Sequence, residues 1–101
     1  MNHLLKELPE NERPRERLEK YGPSSLSDSE LIAIILRTGT KNISVLSLAS
    51  CILCEYETIN DLSEVTIEEL CKIKGIQKTK AITLLASIEL GKRIVLNKRR
   101  S

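Results

Sequence analysis

The feature that most constrains the fold of this chain is a glycine-centred turn between two helical patterns. The first pattern ends near Ile73, Gly75 follows, and a second pattern opens near Gln77 or Lys78. A turn this tight usually needs a residue with a positive φ, which glycine adopts without a Cβ penalty. We therefore expect two helices joined as a hairpin around Gly75.

The same turn has the properties of an anion site. The first amide groups of a helix have no intrahelical acceptor, so those of about Gly75 to Lys78 should point out of the hairpin, and such clusters bind anions. Lysines lie on both sides of the turn, which suits a polyanion better than a carboxylate metabolite. The pattern predicts a helix-hairpin-helix that holds a DNA backbone phosphate, with these candidate residues: Lys72, Lys74, Gly75, Ile76, Gln77, Lys78 and Lys80.

Two other interpretations fit the same residues. In one, the segment is an ordinary αα-hairpin in which Gly75 only ends a helix and the lysines are solvated. In the other, the domain docks onto another protein or domain. An exposed apolar patch in the structure would favour docking, whereas a groove lined by free amides would favour DNA.

The composition favours helices over sheets. The chain has 101 residues with no Phe, no Trp and only two tyrosines, so its core must be built from Leu, Ile, Val and Ala. A chain of this length buries a single core. The lack of aromatic residues also argues against binding of unstacked bases by stacking. We predict one all-α domain, a small orthogonal bundle of about five helices.

Charge is distributed unevenly along the chain. The net charge is only +2, yet from Lys72 onward nine Lys or Arg residues accompany a single acid, Glu89. This basic C-terminal third is the expected face for an anionic partner.

The three cysteines predict neither a disulfide framework nor a metal site. They are odd in number, and Cys51 and Cys54 fall inside a helical pattern, which is typical of small buried residues in a reducing cytosol. A zinc site would need two more ligands, and the chain offers only Cys71 and His3. With no signal peptide and no apolar run of membrane-spanning length, we expect a cytoplasmic protein without metal, cofactor or membrane contact.

Start signals and apolar periodicity divide the chain into elements. Ser27-x-x-Glu30 and Thr66-x-x-Glu69 have the spacing of capping boxes. The predicted helices cover about 14–20, 28–37, 44–56, 67–73 and 78–96, and helix 28–37 is apolar almost all round, as expected for the central helix. Residues 1–12 should form an arm, 13–96 the bundle and 97–101 a basic tail or linker. The core stripe of the last helix should comprise Ala81, Ile82, Leu85, Ile88 and Val95.

The two halves of the chain resemble each other faintly. Each has a capping box followed by Leu and, some residues later, by a glycine, Gly39 in the first half and Gly75 in the second. The pattern is compatible with a degenerate tandem pair of hairpins of the SAM-like or RuvA-C-like kind, although chance similarity between leucine-rich helices explains as much. Turn 39–42 carries one lysine, so we expect it to be mainly structural.

Several segments also carry a family resemblance. Arg13-Pro14-Arg15-Glu16-Arg17-Leu18, the run from Leu26 to Gly39, Gly75-Ile76 and Glu89-Leu90-Gly91-Lys92-Arg93 closely resemble the N-terminal region of bacterial RadC-type proteins. The resemblance implies a helical, helix-hairpin-helix-like module with a link to DNA repair, preceding a JAB/MPN-type domain that holds zinc through His-x-His and Asp residues.

Those zinc ligands do not occur in this sequence, so we expect no enzymatic activity in the chain itself. It resembles an N-terminal domain without its metalloenzyme half, which the docking alternative would position. One departure concerns Gln77, which stands where such hairpins usually have a second glycine. Its side chain would either narrow the approach of a phosphate or donate an additional hydrogen bond.

Overall fold

The computed structural model describes residues 13–100. All regular elements in this part of the chain are helices and none is a strand, which confirms the all-α prediction. The expected N-terminal arm at 1–12 lies outside the described residues. The α-helices are α1 (Arg13–Tyr21), α2 (Asp28–Leu36), α3 (Val45–Cys54), α4 (Ile67–Cys71) and α5 (Lys78–Arg100), and the 3-10 helices are Pro23–Ser25 and Ile59–Glu64.

Both predicted capping boxes are present at the predicted residues. The Ser27 amide donates to Glu30 Oε1 at 2.9 Å while the Glu30 amide donates to Ser27 Oγ at 3.3 Å. At the start of α4 the Thr66 amide donates to Glu69 Oε1 at 2.9 Å and the Glu69 amide donates to Thr66 Oγ1 at 3.1 Å. Each box satisfies two amides that a helix start leaves without partners, which fixes where α2 and α4 begin.

The Glu30 carboxylate also fastens α1 to α2. The Arg17 guanidinium forms an ion pair with it and donates a second hydrogen bond, at 2.8 Å, to the carbonyl oxygen of Ser25. The Ser27 amide and hydroxyl hydrogen bonds, together with the Arg17 charge, hold the pKa of Glu30 below its ordinary value, against a smaller opposing effect of burial. One side chain thus caps α2 and joins it to the preceding helix.

Helix α2 is the central helix, as its apolar composition predicted. It packs against α1, α3 and α5, and Ile32, Ala33 and Leu36 are buried. The facing stripe on α3 has the spacing i, i+3, i+4 and i+7 that places residues on one side of a helix. Its members are Val45, Leu48, Ala49 and Ile52.

The predicted core stripe of α5 needs two corrections. Ala81 is buried and Leu85 and Ile88 pack against the core, but Ile82 is 51% exposed and Val95 is 58% exposed. Ile82 lies one residue, or about 100°, round the helix from Ala81, and Leu84 takes the inward position instead. Val95 belongs to the second half of α5, where every residue from 91 to 98 is exposed because the bundle no longer covers it.

The prediction of buried cysteines is wrong, since Cys51, Cys54 and Cys71 are all exposed. The inward face of α3 ends with Ile52. Cys51 and Cys54 lie one residue before it and two residues after it, so on a helix of 3.6 residues per turn they face away from the core. Cys71 follows the fully buried Leu70 at the end of α4. None of the helices in the described part combines the length and apolar character needed to cross a membrane.

Candidate nucleic-acid interface

The turn between α4 and α5 is built around Gly75. The amides of Ile73 and Ile76 donate to the carbonyls of Leu70 and Ile73 at 3.1 and 3.0 Å, which tightens the end of α4. Gly75 has a φ of 98°. A Cβ there would lie 2.8 Å from Leu48 Cδ1 and 3.2 Å from Thr40 Cγ2. Both the backbone conformation and the packing therefore require glycine.

The amides of Gln77 and of the first three residues of α5 form the candidate phosphate site. Helical hydrogen bonding begins with the Ala81 amide, which donates to the Gln77 carbonyl at 3.1 Å. The amides of residues 77–80 precede that bond and have no acceptor within residues 13–100. Ile76 does not belong to this group, because its amide is used by Ile73 and its side chain, 3% exposed, anchors the turn in the core.

The four candidate lysines divide into two groups. Lys72, Lys74 and Lys78 are exposed and form no ion pair within the described part of the chain. Lys80 is only partly exposed, and its Nζ donates to the Leu36 carbonyl at 3.1 Å and to Thr38 Oγ1 at 3.2 Å. Its charge therefore already serves the carbonyl end of α2, where a helix dipole favours a cation.

Gln77 immediately precedes α5, and its side chain is exposed. Among residues 13–100, only Arg37 combines a side chain with a positive φ, so the backbone at Gln77 does not require glycine. Any effect of Gln77 on a phosphate would therefore come from its side chain, which lies beside the free amides, and not from its backbone conformation.

Sequence reasoning missed Arg37, which lies in a strained turn after α2. Its φ of 75° and ψ of −54°, with the Thr38 amide donating to the Leu36 carbonyl at 2.9 Å, define a γ-turn of the rare form. No sequence signal marks this position, because positive φ is uncommon for any residue other than glycine.

The first turn, residues 37–44, closes tightly behind Arg37. The Thr40 amide donates to the Ile43 carbonyl at 2.8 Å, and a Cβ at Gly39 would lie 2.1 Å from that same oxygen. Gly39 is therefore required by close backbone approach and not by a positive φ, which occurs at Arg37 instead. Thr40 lies against Gly75, so the first turn is in contact with the turn that follows α4.

A second surface feature lies at the other end of the molecule. Four large aliphatic side chains in the second half of α5 are exposed by about half or more: Leu90, Ile94, Val95 and Leu96. Beside them a groove of about 430 Å³ runs between α2, α5 and the 3-10 helix Ile59–Glu64. Its lining residues include Ile35, Ile59, Ile88 and Val95. Exposed apolar surface of this kind is typical of interaction sites.

The described residues hold no cluster of three or more His, Cys, Asp and Glu side chains that would suit a metal ion. His3, the only histidine, lies outside them.

Comparison with known proteins identifies the family. The UPF0758 N-terminal family matches residues 5–82, which is most of the chain. The chain belongs to this family. The match confirms the resemblance to the N-terminal region of RadC-type proteins, whereas the helix-hairpin-helix remains a prediction.

Curated UPF0758 proteins of several bacteria are similar to the chain. Identity is 55% over 91 residues with the protein of Bacillus pumilus, 52% over 94 residues with that of Geobacillus kaustophilus, and 54% over 92 residues with that of Clostridium botulinum. These alignments cover 90%, 93% and 91% of the chain but only 41%, 42% and 40% of the relatives. The chain thus spans about two fifths of their length, and their names state no activity, substrate or partner. No solved structure matches the chain.

Proposed function

We propose that this domain is a non-catalytic, sequence-independent DNA-binding module that holds a backbone phosphate at the Gly75 turn. One observation carries the proposal: the amides of residues 77–80 open from a glycine turn and are flanked by three exposed lysines that have no ion-pair partner in the described chain. Amides at a helix start favour an anion through both hydrogen bonding and the helix dipole. The exposed lysines, Lys72, Lys74 and Lys78, add attraction to a polyanion.

Contacts with phosphates carry no information about base sequence, so the module would recognise the shape of its partner. Because the resemblance to RadC-type proteins implies a link with DNA repair, we extend the proposal to double-stranded and branched DNA. Neutralisation of a few phosphates gives a salt slope of about −2 to −4, so binding should be weak and strongly dependent on salt. Lys80 contributes by holding the turn in place rather than by meeting the phosphate.

The test is binding of labelled duplex and branched DNA, followed by fluorescence anisotropy between about 50 and 200 mM salt. The K74E/K78E variant should lose most of its affinity at low salt. R15E/K98E is the matched control, because it changes the net charge by the same amount at two exposed positions, with Lys98 about 30 Å from Lys78 on the same helix. Unchanged affinity in K74E/K78E, or an equal loss in both variants, would refute the phosphate site.

The exposed apolar half of α5 favours a second candidate function, docking of another protein domain. The two functions use different surfaces. DNA would bind at the Gly75 turn and the start of α5, and the partner domain would dock on the second half of α5. A JAB/MPN-type domain is the partner implied by the family resemblance. Ile94 is exposed and lies outside the phosphate site. The docking hypothesis predicts that I94D abolishes binding to an added JAB/MPN domain without changing the affinity for DNA. Equal binding of that domain by I94D and by the unmodified chain would exclude this surface.

A further inference from the structure

The two turns of the bundle form one continuous end of the molecule. Thr40 Cγ2 lies against Gly75, and Lys80 Nζ reaches both the Leu36 carbonyl and the Thr38 hydroxyl. These contacts join residues far apart in sequence and set the position of the first turn relative to the start of α5. A ligand bound at the Gly75 turn therefore lies beside the first turn as well.

Charge is segregated along the sequence between the two turns and one acidic segment. Segments 37–44 and 72–80, which make up the two turns, contain six basic residues and no acidic residue. Segment 55–69 contains six acidic residues and no basic residue. Helix α3, with ten residues, separates the first turn from Glu55 at the start of the acidic segment by about 15 Å, whereas Glu69 at its end lies three residues before Lys72. Within that segment, burial and the carboxylates of Glu69 and Glu55 raise the pKa of Tyr56.

We propose that the first turn supplies a second set of phosphate contacts, made by Arg37 and Lys41, so that one nucleic acid spans both turns. This inference rests on the proposed function and extends its site. Both side chains are exposed and form no ion pair among the described residues. Nucleic acid is the chemical class that fits, because it presents successive phosphates to a surface with several separate cations.

The strained γ-turn at Arg37 agrees with this role. A positive φ at a residue with a side chain costs free energy, and such strain persists where the surrounding structure enforces it. Here the enforcing contacts come from Lys80 and from the tight Gly39 turn. The result is an arginine whose backbone position at the basic end is fixed.

Binding across both turns and binding at the Gly75 turn alone differ in how strongly the affinity depends on salt. Five cations in contact, namely Arg37, Lys41, Lys72, Lys74 and Lys78, give a slope near −4.5, or a loss of about 500-fold in affinity from 50 to 200 mM salt. Three cations at the Gly75 turn alone give a slope near −2.7, or a loss of about 40-fold.

The experiment compares three double variants of the chain by fluorescence anisotropy with labelled duplex DNA. R37Q/K41Q neutralises the first turn and K74Q/K78Q the second, while R15Q/K98Q removes one Arg and one Lys at exposed positions outside both turns. We expect each of the first two variants to lower the salt dependence from about 500-fold to about 40-fold, and the control to leave it unchanged. Circular dichroism verifies that all three variants are folded.

Other outcomes separate this inference from the proposed function. If R37Q/K41Q matches the unmodified chain while K74Q/K78Q loses salt dependence, the first turn makes no contact and only the Gly75 site stands. If K74Q/K78Q matches the unmodified chain, or if the chain binds no DNA at about 50 mM salt, both the site and its extension are refuted.

Discussion

Replacement of Gly75 by alanine tests whether the turn requires glycine for two separate reasons. At a φ of 98° a Cβ lies too close to the neighbouring backbone, and this strain costs about 1–2 kcal/mol. The same Cβ would lie 2.8 Å from Leu48 Cδ1, and Leu48 is fully buried and has little room to move. Overpacking of this kind adds about 1–3 kcal/mol. We expect Gly75→Ala to lower the free energy of unfolding by about 2–5 kcal/mol in total.

Two other glycines, Gly22 and Gly91, provide controls without a steric clash. Gly22 has a φ of 91° and a ψ of 163°, a region adopted almost only by glycine, and a Cβ added there would have no neighbour within 4 Å, so Gly22→Ala should show only a backbone cost of about 1–3 kcal/mol. Gly91 lies within α5 with nothing near its Cβ position, and Gly91→Ala should stabilise the helix by about 0.5–1 kcal/mol. These variants measure backbone effects without a steric clash, and the double variant with Leu48→Ala isolates the steric part at Gly75.

The assay is chemical denaturation followed by far-ultraviolet circular dichroism, with thermal melts as a second measure. One kcal/mol corresponds to about 4–8 °C in Tm for a domain of this size. Combining Gly75→Ala with Leu48→Ala should give less than the sum of the single effects, because the truncated side chain removes the close contact. Full additivity of Gly75→Ala and Leu48→Ala in the double variant would refute the packing argument.

Two further predictions concern side chains that hold helices together. Lys80→Met should lower the free energy of unfolding by about 1–2 kcal/mol, since it removes two hydrogen bonds at the carbonyl end of α2, whereas Lys78→Met at an exposed site should change it by less than about 0.5 kcal/mol; equal Tm values for the two variants would contradict this role. The pKa of Glu30 is held below its ordinary value of 4.5, chiefly by the Ser27 amide, so its contribution to stability is complete above about pH 4.5 and is lost as the pH falls through the lowered value. Denaturation as a function of pH should therefore show a shallower acid-side loss in Glu30→Gln than in the unmodified chain, and parallel curves would exclude this contribution.

Local signals allowed the helix starts to be predicted from sequence. The reciprocal hydrogen bonds of a capping box involve residues three apart, so Ser27 and Thr66 each specify a helix start without help from the rest of the chain. Gly75 was identified for the same reason, because a positive φ is a property of one residue. Periodicity located the inward stripe of α3, but it misplaced Ile82 because α5 is apolar on more than one face.

The parts of the candidate site that escaped prediction depend on distant contacts. Lys80 has a typical surface-lysine sequence context, and its bond to the Leu36 carbonyl joins residues 44 apart. The positive φ of Arg37 is equally invisible in sequence, since the Lys80 contact that helps to enforce it comes from another helix. The exposure of Cys51 depends on which face of α3 turns inward, and a run rich in apolar residues does not determine this.

The bond between Lys80 and the end of α2 also links the basic end of the molecule to the order of folding. The Gly75 turn follows from local sequence, but its juxtaposition with the first turn exists only after α2 has packed against α5. A compact intermediate that kept its helices and lost this packing would retain far-ultraviolet circular dichroism while its cations moved apart. Affinity for a polyanion would then report tertiary packing, which helical content alone does not reveal.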